Sequence, residues 1–218
     1  MIISREKLTV ALRKARAVIE HKDLYVLDSN RLPASIDDLR YVVSDMYDIE
    51  INIELVDFNS THLRGMVEFF NGDKKIANVY VKKSQDPEWR RFIAAKELSQ
   101  LINDEEEDWN PAGVDTIDGL IEAEQFGQAS STSEEEKEED CAAPSHLQSE
   151  LLAQAIALEI LFPFEIRVDR KAAYDKGDLT LDDLSQQFGI PEYAINWLFS
   201  DQYHVAASEV WAEIDSQS

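Results

Sequence analysis

Apolar residues recur every three or four positions near the start of the chain. Leu8, Leu12, Ala15 and Ile19 share one face over residues 4–21, a spacing that predicts an amphipathic helix. Arg13, Lys14 and Arg16 fall between them and read as a solvated basic face. Leu32-Pro33 breaks the chain. A second helix is expected from Ser35, an N-cap residue with Asp37 and Asp38 behind it, through Leu39, Val42, Val43 and Met46. The period then falls to two. Residues 51–55 alternate apolar and polar as a half-buried strand does, residues 63–70 form a second candidate, and residues 75–82 a third. Asn71-Gly72-Asp73 between the last two is a hairpin signal, so a small antiparallel sheet is predicted. Asp86-Pro87 closes it and opens a helix over residues 88–102.

Beyond residue 104 the periodic signal fades. Trp109, Ile117, Leu120, Ile121 and Phe126 allow a short helix, and residues 127–144 have the low complexity of a disordered segment. A strong helix is expected over 145–162, stopped by Pro163. Helices follow at 180–188 and 191–200, with a tail helix at 205–214. No internal repeat is present. The chain therefore divides into an N-terminal helix (1–30), a sheet and helix part (31–126), an acidic linker (127–145) and a C-terminal helical part (146–218).

Composition narrows the function classes. The chain has 218 residues, enough for one core, and is 44% hydrophobic. Its 44 acidic and 21 basic residues give a net charge of −23. Fifteen of the acidic residues, against Lys137 alone, lie between Asp104 and Asp140. Such a chain repels phosphate backbones, which argues against direct nucleic-acid binding. The acidic stretch is either a solvated spacer or a surface that attracts a basic partner, such as the DNA-binding face of another protein. Cys141 is the single cysteine, so no internal disulfide and no cysteine zinc cage is possible. The charged N-terminus lacks the apolar core of a signal peptide, and no run of 18 apolar residues exists. A cytoplasmic protein with no membrane association is expected.

The helix after the sheet reads Arg90-Arg91-Phe92-Ile93-Ala94-Ala95-Lys96-Glu97-Leu98-Ser99-Gln100-Leu101. It resembles the motif helix of the ImmA/IrrE peptidase family, R-F-T-x-A-H-E-x-x-H. There two histidines one turn apart bind zinc and the glutamate between them is general base. Arg91, Phe92, Ala95, Glu97 and Leu98 match, but Lys96 and Gln100 stand where the histidines belong. Residues 150–163, ELLAQAIALEILFP, are similar to the family's downstream helix, E-x-x-A-N-x-F-A-x-x-L-L-M-P, with Glu150, Ala153, Ala157, Leu161 and Pro163 matching. The resemblance makes Glu150 the third zinc ligand. It implies an α+β, zincin-like fold in which a small antiparallel sheet packs against helices, with helix-turn-helix-like helices after it.

The chemistry of the replacements removes the metal. A lysine ammonium has no lone pair, and a glutamine offers only a neutral amide oxygen. His21, His62 and His204 are remote in sequence, and His146, one turn before Glu150, reads as flanking its helix. Neither a catalytic residue nor a metal or other cofactor is therefore expected, and the former site positions are Lys96, Glu97, Gln100 and Glu150. The Lys96 ammonium is expected either to replace the metal charge and pair with Glu150, or to lie on the surface like any other charge.

Residues 181–198 have the spacing of a helix-turn-helix, with Leu184, Gly189, Ile190, Ala194 and Leu198 in place. The second helix carries no Arg or Lys, so it reads as a packing element or as a docking surface presenting Tyr193 and Trp197. Family members act beside helix-turn-helix repressors in mobile elements and stress responses. Three readings follow from the resemblance. One is an inactive pseudoprotease that regulates by binding a protein, such as a helix-turn-helix regulator. Another is an active metallopeptidase with a non-standard metal site. The last is a phage or toxin–antitoxin module whose acidic insert mimics DNA.

Overall fold

A computed structural model describes residues 3–25, 34–59, 63–71, 75–103 and 145–217. The side chains of residues 22–25, 71 and 145–147 are outside this set. The short helix expected around residues 109–126 and the acidic linker also lie outside it.

Eight helices and three strands are formed by the described residues. They are α1 (Arg5–Tyr25), α2 (Ile36–Tyr47), β1 (Ile49–Val56), β2 (Gly65–Asn71), β3 (Lys75–Lys82), α3 (Pro87–Asn103), α4 (Ser145–Leu161), α5 (Phe164–Asp175), α6 (Leu181–Phe188), α7 (Glu192–Phe199) and α8 (Asp201–Ser216). The fold is thus α+β. No described helix is long and apolar enough to cross a membrane.

Local chemistry sets the element ends. The Ser35 hydroxyl accepts from the Asp38 N–H at 3.0 Å and caps α2. Thr180 and Asp183 exchange bonds as a capping box at the start of α6, and Gly189 ends that helix at φ 59°.

The sheet differs from expectation in one pairing. Its order is β1-β3-β2. β2 and β3 form the predicted antiparallel hairpin, with Phe70 opposite Ile76 and Met66 opposite Tyr80. β1 instead runs parallel to β3, with Ile51 opposite Ala77. The sheet is therefore mixed. Ala77, Val79 and Val81 make β3 the most buried strand, and it takes the centre with one neighbour on each side. Helices α2 and α3 cover the face that carries these residues.

α4 lies at the middle of the helical layer. Every residue from Leu151 to Phe162 is buried, which is why the segment is apolar on all sides except at Gln154 and Glu159. It packs against α3 on one side and α1 on the other.

Two further expectations are corrected. The basic face of α1 is not merely solvated. Arg5 pairs with Glu209 at 3.1 Å, Arg16 pairs with Asp215 at 2.8 Å, and Arg13 donates to Gln217 at 2.6 Å, so α8 is laid along it. The Arg16 guanidinium also lies over the Trp211 ring at 5.5 Å. The stretch left without an element after Pro163 is the helix α5. Its one fully buried side chain is Arg167, so no apolar stripe advertised it.

Candidate functional site

Helical spacing places Lys96 and Gln100, one turn apart, on the face of α3 that meets α4. Both reach Glu150. The Lys96 Nζ donates to Glu150 Oε2, and the Gln100 amide donates to Glu150 Oε1 at 2.6 Å. Lys96 Nζ also lies 3.1 Å from Glu97 Oε1. All four positions singled out in the sequence thus form one cluster. The structure brings together residues 50 and 54 positions apart in the chain.

The cluster is closed at Lys96 and Glu97 and only partly buried at Gln100 and Glu150. Lys96 and Glu97 are each 3% exposed, and the Glu150 side chain is 14% exposed. Burying a charge without a partner is costly, and here one ammonium lies between two carboxylates with an amide completing the set. Gly65, at the start of β2, helps to exclude water. A Cβ on it would collide with the Ile93 side chain and come within 2.9 Å of Glu97 Oε1. The backbone of β2 therefore lies directly on the Glu97 side chain. Around the cluster, Asn103 donates to the Ser149 hydroxyl at 3.5 Å, and Lys14 donates to the Asn103 carbonyl at 2.5 Å.

The donor set does not suit zinc. The position that a histidine would occupy next to Glu97 carries an ammonium, and Gln100 uses its amide as a donor toward Glu150. Among the described residues, no three His, Cys, Asp or Glu side chains are grouped to hold a metal ion. The side chain of His146 lies outside the described residues.

Arg91, a further motif position, ties distant segments together. It donates to the Ala34 carbonyl ahead of α2, and its side chain lies against Gly189 between α6 and α7. Burial lowers its pKa from the ordinary guanidinium value. The aromatic Trp89 stacks on Tyr193 of α7, with ring centroids 6.0 Å apart, and carries the Arg64 guanidinium over its face at 4.4 Å. Trp197 is buried against Tyr203 and is a core residue.

A second charged pair was not anticipated. Glu159 and Arg167 are both fully buried, and their charged atoms lie 3.0 Å apart. Glu159 also accepts from the Phe164 N–H at 2.5 Å, and Arg167 donates to the Phe162 carbonyl at 3.2 Å. The pair spans Pro163 and fixes the angle between α4 and α5. Burial raises the Glu159 pKa, with Arg167 opposing it. The one sequence signal was the glutamate inside the otherwise apolar run Ala155–Phe162, a polar residue with nowhere to go but a partner. Nearby, burial raises the Tyr203 pKa and lowers that of His204.

No protein-family model, curated protein or solved structure matches the chain. The likeness to ImmA/IrrE peptidases accordingly rests on the residues of the two motif helices themselves.

Proposed function

We propose that the chain is a catalytically inactive, IrrE/ImmA-like pseudoprotease that acts in regulation by binding another protein. Its domain is read as zincin-like, with α6 and α7 as the helix-turn-helix-like element. The candidate partner is a helix-turn-helix regulator, engaged through a protein surface rather than through DNA. The observation that carries the reading is the buried contact of Lys96 with Glu150. In the peptidase pattern, Glu150 corresponds to a zinc ligand and Lys96 to another. An ammonium that already neutralises that carboxylate competes with a divalent ion for the same charge and the same space. The cluster then does for the α3–α4 interface what a metal does in the peptidases: it joins two helices through one cation.

The test is made on full-length protein purified without chelator. Metal analysis is expected to find far less than one zinc per chain, and incubation with a purified helix-turn-helix repressor from the native host is expected to give a complex and no cleavage. Stoichiometric zinc together with chelator-sensitive proteolysis would overturn the proposal, and failure to bind the regulator would remove its choice of partner.

A further inference from the structure

The sheet has a second face, turned away from α2 and α3. Strand alternation puts the even-numbered residues of all three strands on it. The register makes successive rungs. Glu50, Ile76 and Phe70 lie side by side on one rung, and Glu54, Tyr80 and Met66 on another. Between them is a polar rung where Asn52 donates to Asn78 at 3.2 Å, with Glu68 beyond. Glu68 accepts from the Tyr80 hydroxyl at 3.0 Å. Phe70 is 52% exposed, and Ile76, Tyr80 and Met66 are partly so.

The face thus carries two apolar pairs, Phe70–Ile76 and Met66–Tyr80, with a carboxylate at the β1 end of each rung. The pairs are four residues apart along β3, roughly 13 Å at ~3.3 Å per residue. Two turns of an α-helix rise about 11 Å. A helix laid along β3 can therefore set one apolar side chain on each pair. Glu50, Glu54 and Glu68 then face its flanks, where positive side chains complement them best, while Lys82 of the same face lies one rung beyond Tyr80.

We propose that this face docks a helix of another protein, with apolar residues two turns apart and Lys or Arg beside them. The inference goes beyond the pseudoprotease reading and does not depend on it, because no residue of the Lys96 cluster contributes.

The probe is a synthetic amphipathic peptide of Leu and Lys, with leucines spaced to form one stripe, alongside a scrambled peptide of identical composition. Each is titrated into the isotope-labelled full chain and followed by amide NMR. Saturable shifts centred on Phe70, Ile76 and Tyr80 are expected for the striped peptide, with the scrambled one at least about tenfold weaker, a difference of ~1.4 kcal/mol. The variants Phe70→Ser and Glu50→Lys/Glu54→Lys are expected to weaken the striped peptide by a similar factor while keeping the wild-type spectrum elsewhere and the wild-type melting temperature. Equal binding of both peptides, which would mean charge attraction alone, overturns the proposal. So do shifts confined to other surfaces, the absence of binding, or a dimer of the chain that Phe70→Ser dissolves.

Discussion

Lys96 on α3 reaches across to Glu150 on α4 and holds its carboxylate inside the helical layer. The contact joins two elements that are far apart in sequence, and both partners depend on it. A buried ion pair adds little over a well-packed apolar pair, but breaking one leaves an uncompensated charge.

Lys96→Met should therefore destabilise the fold strongly, by about 3–5 kcal/mol, because Glu97 and Glu150 are left without their cation. Glu150→Gln is expected to cost less, since Glu97 still accompanies the ammonium. In a double-mutant cycle read from urea midpoints, the two changes should be clearly non-additive. Additive effects would mean that the pair is not coupled.

The positions also make a directed gain of metal binding possible. Lys96→His with Gln100→His replaces an ammonium and an amide by two imidazoles facing Glu150. The double variant should bind zinc stoichiometrically and melt at a higher temperature with zinc than with chelator. A variant that folds yet takes up no zinc would show that α3 and α4 are not set at ligating distance.

Arg167 should be similarly indispensable to the junction after Pro163. Arg167→Met orphans Glu159 in a fully buried site, at a cost of about 3–5 kcal/mol. Replacing both by Met should be milder than Arg167→Met alone. The comparison is made by thermal or urea unfolding, and a double variant worse than this single one would show that the pair contributes more than mutual neutralisation.

His204 gives the chain a sensitivity to acid. Burial holds its folded pKa below the ordinary 6.5, so the unfolded chain takes up this proton first as pH falls. The resulting penalty is absent well above pH 6.5 and grows as pH drops through that value toward the lower folded pKa. His204→Gln should accordingly flatten the loss of stability on the acid side of 6.5. Parallel stability curves for the two proteins would exclude His204 as the source.

Much of this architecture is legible in the sequence where a periodic signal meets a strong stop. The strand over 75–82 and the helix that begins at Ser145 fall where alternation, Pro163 and apolar runs place them. The cluster positions were legible too, because a lysine and a glutamine interrupt an otherwise good motif. What was not legible has a common cause. α5 buries a charge instead of an apolar stripe, and the basic face of α1 pairs with acidic residues at the other end of the chain. The parallel pairing of β1 with β3 is likewise a choice of neighbour, made by burial of β3 and not by a local turn. For α1 and β1 the partner lies far off in sequence, where a periodicity argument has no reach; for α5 the partner Glu159 is close in sequence, but a buried ion pair leaves no apolar period to read.

The absence of a side chain at Gly65 sets the thickness of one corner of the molecule. Because nothing projects there, the sheet edge settles onto α3 and seals Glu97 from solvent. A methyl group at that point would act as a wedge, parting the layers by a fraction of an ångström and giving water a path to the ammonium beneath. The close seat of β2 on α3 at Gly65 thus helps to keep water, and the screening it brings, away from Glu97 and the ammonium beside it.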